Sequence, residues 1–307
     1  MSWINHSLMF FIFLLFSGFA SAKQLALSFD DGLDPQIEVQ AKQINHDILT
    51  ALHQNQIKAI LFPSLSKIGY EQGLALVAEW GRQGHRIGNH SDLHQNLNHD
   101  DVSLAAYLDS MQRGDRYFKQ LQGFVPRYRF PFLKEGNTQQ KRDGVRQWLA
   151  QQHYQSGAVS IDASDWYYNQ LFMQYQIAND QDSLSNLKQA YIAHLLDRAA
   201  YYDGLAEKTL GRSPKHVLLL HVRAINAAWL GDVITAFRQQ GWQFIDSDAA
   251  YRDPVYKIQL NVLPAGESIL WQIAKVYGLD GLRYPAEDAP YEQENLRRFG
   301  LQRLLKK

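Results

Sequence analysis

Cysteine is absent from the 307 residues, so the chain has no disulfide and no cysteine that could carry a lipid. Its stability must come from its core or from a bound metal. An excess of charge is also absent, because 31 Lys and Arg residues balance 31 Asp and Glu residues. This balance gives no sign of a polyanionic partner, and we expect no binding of nucleic acid.

Long apolar runs are scarce, and the longest lies near the start of the chain. Leu8 to Phe16 is unbroken and apolar, and it is followed by the small residues of 17–22. This pattern predicts a secretory signal in residues 1–22, cleaved after Ala22. We therefore expect an exported protein, periplasmic or secreted, without a stable membrane span. No Lys or Arg precedes the run, so an uncleaved anchor is the alternative.

The rest of the sequence alternates short β-type runs with helical patterns. The predicted strands are Leu25–Phe29, Ala59–Phe62, Arg127–Phe130, Ala158–Ile161, Val217–His221 and Trp242–Ile245. This alternation predicts an α/β fold with a parallel sheet closed into a deformed (β/α) barrel. We expect a catalytic domain over 23–250 with a helical insertion at about 167–214. An extension over 251–307 is expected to wrap the domain.

Polar residues collect where the predicted strands end. They are Asp30, Asp31, Arg129, Asp162, Asp165 and His221. Because working residues of an α/β barrel lie at the carboxyl ends of its strands, this clustering predicts a catalytic site there. The alternation of side chains along a strand would point Asp30 and Asp31 to opposite sides, where they would meet different partners.

A histidine pair provides the second signal of chemistry. His90 and His94 are four residues apart and would meet on one helical face. Together with one carboxylate they would form a three-ligand site with an open position, typical of a catalytic metal. His99 is nine residues from His90, a separation that fits no common ligand spacing.

Five motifs in order resemble the NodB-type polysaccharide deacetylases, carbohydrate esterase family four. They are Ser28-Phe-Asp-Asp-Gly32, His90-Ser-Asp-Leu-His94, Arg129-Phe-Pro-Phe132, Asp162-Ala-Ser-Asp-Trp166 and Leu218-Leu-Leu-His221. The resemblance implies a divalent metal such as zinc and hydrolysis of an acetyl amide or ester by metal-bound water. The implied substrate is an acetylated carbohydrate such as peptidoglycan, a chitooligosaccharide or another polysaccharide.

Carried over residue by residue, the resemblance assigns each motif a role. Asp31, His90 and His94 would bind the metal, and Asp30 would be the general base, held by Arg129. His221 would be the general acid, oriented by Asp165 with Asp162 as the alternative. The backbone amide of Phe132 would donate to the oxyanion. Independently of the resemblance, Trp166 and Tyr167 start the insertion directly after a candidate active-site strand end, and we expect them to wall a substrate groove.

Two other functions stay open at this stage. The same site could serve a metal-dependent amidase acting on a non-sugar amide, because resemblance at the site does not fix the acyl donor. A catalytically inactive carbohydrate-binding relative is the other alternative, although a binding protein has no need of Asp30 or His221. Phe130 and Phe132 replace the usual proline and tyrosine of their motif, and Val222 to Asn226 differs from the usual groove. The polysaccharide itself is therefore not predicted.

Overall fold

The computed structural model describes residues 22–283 and 289–302. Its strands are β1 Lys23–Asp31, β2 Ile60–Pro63, β3 Arg86–Asn89, β4 Phe124–Tyr128, β5 Lys134–Gly136, β6 Gln155–Ser156, β7 Lys215–His221, β8 Trp242–Phe244 and β9 Ala265–Gly266. Its helices are α1 Ala41–Gln54, α2 Glu71–Arg82, α3 Leu104–Phe118, α4 Gln139–Gln151, α5 Asp165–Ile177, α6 Gln181–Leu210, α7 Ala224–Gln239, α8 Ser247–Ala250, α9 Ile269–Val276 and α10 Ala289–Arg298.

The main sheet is parallel and is built around β1. Its strands run in the order β6-β4-β3-β2-β1-β7, and β8 pairs with the beginning of β1. From Leu25 to Asp31 every residue of β1 is buried, because helices cover the outer face and side chains fill the inner one. This arrangement carries the last residues of β1 into the centre of the carboxyl edge of the sheet.

The sheet curls so that the chain after β6, its first strand in spatial order, contacts β7, its last. Ile161 forms an isolated parallel bridge with Leu218 of β7, and the Leu219 amide donates to the Ile161 carbonyl at 3.0 Å. The strand predicted for 158–161 is thus reduced to one bridge, and the regular strand β6 lies a few residues earlier. The sheet curls into a half-barrel with surrounding helices, which confirms the predicted fold class.

The segment predicted as a helical insertion forms α5 and the 30-residue α6, which pack on each other and on α7. The long amphipathic pattern that predicted this helix continues on its buried side with Leu184, Leu187 and Tyr191. After residue 250, β9 pairs with β5, and α9 and α10 pack on α6. The chain beyond the barrel is therefore packed against it.

Within the described ranges, no helix combines the length and the apolar character that a membrane crossing requires. The signal segment predicted at residues 1–22 lies, except for Ala22, outside the described residues.

Candidate active site

Asp30 and Asp31 end β1 and line the same cavity, which has a volume of about 450 Å³. The expectation that they point to opposite sides is wrong. Asp31 has a φ of 77°, outside the extended region, so the regular alternation of a strand stops at this residue. The two carboxylates nevertheless have different partners, as the sequence predicted.

Asp30 is held by Arg129, which follows the end of β4. Nη1 of Arg129 donates to both carboxylate oxygens of Asp30, at 2.9 and 3.1 Å, and Nη2 donates to Ser28 Oγ at 3.0 Å. Nε donates to the Gly157 carbonyl, and the guanidinium lies over the Phe62 ring. Burial raises the pKa of Asp30 to about 6, and the positive charge of Arg129 opposes a larger rise.

Asp31, His90 and His94 form the metal-type cluster that the sequence predicted. Each residue offers one ligand atom, and these atoms all lie within 4.8 Å of one another. The helical placement of the two histidines is wrong, however, because residues 90–94 form a loop after β3. Positive φ values at Ser91 and His94, 69° and 50°, turn this loop so that the imidazole rings meet at a centroid distance of 4.9 Å.

The donor atoms of the cluster fit a divalent cation. The Arg129 carbonyl lies 2.8 Å from Nδ1 of His90, so Nδ1–H donates there and Nε2 keeps its lone pair. Burial lowers the pKa of His90 well below its usual range, which favours the neutral ligand form. Oδ1 of Asp31 is buried without a hydrogen-bond partner, whereas Oδ2 accepts from Arg223 Nη2 at 2.9 Å. One free oxygen therefore faces the two imidazoles.

His221 ends β7, where it is the register partner of Asp30 on β1, and is paired with Asp165. Nδ1 of His221 lies 2.7 Å from Oδ1 of Asp165, and the backbone amide of His221 donates to Oδ2 at 2.6 Å. Burial alone would lower the pKa of His221, but the charge and hydrogen bond of Asp165 raise it to about 9. Asp162 also lines the cavity, yet the geometry gives the pairing role to Asp165.

The residues predicted to contact substrate divide into two groups. Trp166 lines the cavity, and so does Phe132, whose ring is 48% exposed and packs edge-on against His94. Tyr167 is only 4% exposed and is not part of the cavity wall, so its predicted place in a groove is wrong. The reason is that residues 165–177 are helical and turn neighbouring side chains to different faces. The oxyanion role of the Phe132 amide stays a prediction.

Four residues of this region were missed by the sequence analysis. Arg223 contacts Asp31, and Asn169 lines the cavity and accepts a hydrogen bond from the Ile225 amide at 3.1 Å. Tyr251 accepts from Nη2 of Arg129 at 3.3 Å, and Asn226 donates to Asp165 at 2.8 Å. Arg223 and Asn226 lie close to His221 in the sequence, and only this proximity could have indicated that they belong to the site. Nothing in the sequence links Tyr251 to Arg129.

The guanidinium of Arg129 makes contacts that an ammonium group cannot reproduce. We expect Arg129→Lys to lower the free energy of unfolding by about 1–3 kcal/mol, because buried hydrogen-bond partners are left unpaired. Urea denaturation monitored by tryptophan fluorescence measures this loss. Arg127→Lys is the matched control on β4, since Arg127 also stacks on an aromatic ring but donates to the part-buried Ser156 carbonyl and the exposed Gln155 side chain. Equal losses of unfolding free energy in the two variants would show that the contacts of Arg129 stabilise the fold no more than those of Arg127.

Together, the curled barrel and the motifs gathered in one cavity resemble the NodB-type domains of carbohydrate esterase family four. The family model described as polysaccharide deacetylase matches residues 18–154, and the resemblance seen in the sequence is confirmed. This part of the chain is therefore similar to polysaccharide deacetylase domains.

Individual known proteins are also similar to this chain. A peptidoglycan-N-acetylglucosamine deacetylase of Bacillus cereus is 30% identical over 151 residues, which are 49% of this chain and 49% of that protein. The chain thus matches about half the length of this curated relative. The fold of the present chain is similar to that of a solved peptidoglycan N-acetylglucosamine deacetylase. The two are 21% identical, the TM-score is 0.50, and the similarity covers 76% of this chain and 89% of the other.

A second solved structure has the same fold but a different functional description. It is a CE4 family pseudoenzyme from Bacillus anthracis, with 16% identity, a TM-score of 0.51 and coverage of 75% of this chain and 66% of the other. Because the fold includes both kinds of protein, activity in this chain must be argued from its own side chains.

Proposed function

We propose that the protein is a metal-dependent hydrolase that removes acetyl groups from an N- or O-acetylated carbohydrate. One observation carries the proposal: a single cavity brings together an arginine-paired carboxylate, a carboxylate-paired imidazole and a three-residue metal cluster. The name of the Bacillus cereus relative supports peptidoglycan as the first substrate to test. The export signal predicted for residues 1–22 supports action on an envelope polysaccharide, in the periplasm or outside the cell.

Asp31, His90 and His94 would hold the cation, for which we propose zinc because two imidazoles and one carboxylate suit it. When bound, the cation would polarise the acyl oxygen and lower the pKa of water. Arg223 takes the second oxygen of Asp31, which leaves Oδ1 as the ligand atom. The two residues proposed to move protons, Asp30 and His221, line the same cavity as this cluster and are register partners on the adjacent strands β1 and β7.

Asp30 is the proposed general base. Its carboxylate accepts a proton from the attacking water while Arg129 fixes its orientation. A pKa of about 6 leaves this group mostly ionised at neutral pH, yet more basic than an exposed aspartate. The water oxygen then forms a bond to the acyl carbon.

His221 is the proposed general acid. As the bond from the acyl carbon to the sugar nitrogen or oxygen breaks, the imidazolium donates a proton to this leaving atom. Nδ1 is engaged by Asp165, so Nε2 is the donor. The Phe132 amide is proposed to donate to the developing oxyanion, with Trp166 and Phe132 walling the sugar.

Acetate release tests this function. The purified chain, loaded with zinc, is incubated with peptidoglycan, chitooligosaccharides, O-acetylated glycans and a simple acetylated amine, and free acetate is measured. His221→Gln is the inactive control. Release from a glycan that disappears in this variant supports the proposal. Cleavage of the simple amide alone would favour the amidase alternative, and zinc binding with no release from any substrate would favour the inactive binding relative.

The pairing of His221 with Asp165 predicts the alkaline side of the pH profile. A general acid must be protonated, so kcat should fall as the pH rises through about 9, the raised pKa of His221. In Asp165→Asn the imidazole loses the charge that raised its pKa, and the fall should move toward the ordinary value of 6.5. Asp162→Asn is the matched control and should keep the fall near 9. A profile unchanged by Asp165→Asn would remove Asp165 from this role.

A further inference from the structure

The Asp165 carboxylate has a third partner besides the two groups of His221. Oδ2 of Asp165 also accepts from Nδ2 of Asn226 at 2.8 Å, and the same Nδ2 donates to the His221 carbonyl at 2.9 Å. Asn226 lies in the first turn of α7 and is fully buried, as is Asp165. Its amide thus bridges the carboxylate to the backbone of the histidine that the carboxylate holds.

The orientation of the Asn226 amide is itself determined by a neighbour. Its Oδ1 accepts from the Tyr191 hydroxyl at 2.6 Å. Burial, followed by the nearby charge of Asp165, raises the pKa of Tyr191 well above its usual range, so the hydroxyl keeps its proton and remains a donor. A flipped amide would place its oxygen, an acceptor, against two other acceptors, the Asp165 carboxylate and the His221 carbonyl, so the hydrogen bonds fix the orientation with Nδ2 on this side.

Tyr191 belongs to α6, the long helix of the inserted segment. It is fully buried between Tyr168 of α5 and Trp229 of α7, at ring-centroid distances of 5.6 and 6.5 Å. The inserted helix therefore reaches the catalytic histidine through two side chains. A segment that served only as a lid or an outer wall would have no buried hydrogen bond leading to the proton donor.

We propose that Asn226 and Tyr191 are positioning residues that hold the Asp165 carboxylate against His221, so that α6 is an integral part of the acid half of the site. The proposal rests on the assigned role of His221. Without the Asn226 amide, Oδ2 of Asp165 loses a donor and the carboxylate can rotate away from Nδ1 of the imidazole. The proton on Nε2 of His221 then no longer points at the leaving atom of the substrate, while the cavity wall that binds the sugar is unchanged.

Two readouts test the proposal, and one of them needs no substrate. We expect Asn226→Ala to lower kcat about tenfold with little change in KM, because only proton delivery is impaired. Tyr191→Phe keeps the ring packing and should lower kcat about threefold, since the amide stays in place but is no longer oriented. The second readout is the proton NMR resonance of the Nδ1–H hydrogen of His221, assigned by its absence in His221→Gln. It should weaken or broaden in both variants.

Tyr168→Phe is the matched control for loss of a buried hydroxyl on the same side of the protein. The Tyr168 hydroxyl accepts from Asn295 and does not contact Asn226, so kcat and the resonance should stay as in the unmodified chain. Wild-type kcat and an unchanged resonance in Asn226→Ala and Tyr191→Phe would overturn the proposal. If Asn226→Ala does not fold, Tyr191→Phe decides alone. If the wild type releases no acetate, the proposed function fails, and the resonance still tests the positioning role.

Discussion

Asp31→Asn is expected to weaken zinc binding by more than about 100-fold, because a neutral amide replaces the charged ligand between two imidazoles. Oδ1 of Asp31 is buried and faces His94 Nε2 at 3.1 Å, while Arg223 takes the other carboxylate oxygen, so Oδ1 is placed to serve as the ligand atom. Isothermal titration calorimetry with zinc measures the affinity directly and does not depend on the substrate.

The neighbouring aspartate is the matched control for this loss. Asp30→Asn changes a residue that lies next in sequence, has the same burial and lines the same cavity, yet it should bind zinc within a few-fold of wild type. Circular dichroism of both variants shows whether the barrel is intact. If Asp31→Asn retains wild-type affinity in a folded protein, the ligand set is wrong.

The same Asp30→Asn variant is expected to lose about 100- to 10,000-fold in kcat, the usual contribution of a general base. An amide cannot accept the proton of the attacking water, although it can still contact Arg129. The measurement is acetate release by the zinc-loaded protein on the best substrate of the panel. Full activity in Asp30→Asn would show that another group accepts the proton.

The two aspartates also make different predictions about added metal. Excess zinc should restore part of the activity of Asp31→Asn, because this variant is impaired by the low occupancy of its metal site. It should not restore Asp30→Asn, whose defect lies in proton transfer. Rescue of both variants by zinc would mean that Asp30, whose Oδ2 lies 3.7 Å from His90 Nε2, is a ligand as well.

The fold and the position of the site could be predicted from local patterns in the sequence, whereas the role of each site residue was predicted from the resemblance of its motif to a known family. Alternating apolar runs mark the strands, and polar residues such as Asp30 and His221 directly follow or end these runs. In a parallel barrel the carboxyl ends of all strands lie at one edge. Residues that end different strands are therefore predicted to lie close together, even when they are far apart in the sequence. The spacing of His90 and His94 was likewise informative, although it brought them together on a loop and not on a helix.

What could not be predicted depends on contacts between distant segments. Asn226 and Tyr191 meet because α6 packs against α7, and no spacing rule links residues 35 positions apart. The error at Tyr167 has a related cause, since the choice between cavity and core depends on how α5 is rotated. The turn at Asp31 was missed because a positive φ at a non-glycine residue leaves no mark in the hydrophobic pattern.

The hydrogen bond between Tyr251 and Arg129 changes where the unit that contains the candidate site ends. A fragment of residues 23–250, the boundary suggested by the sequence, would lack the Tyr251 hydroxyl that contacts Nη2 of Arg129 and the Gly157 carbonyl, as well as the ring on which Arg127 stacks at 3.8 Å. The shortest piece worth expressing, or grafting into a chimeric deacetylase, therefore continues past Tyr251 into the chain that packs on the barrel.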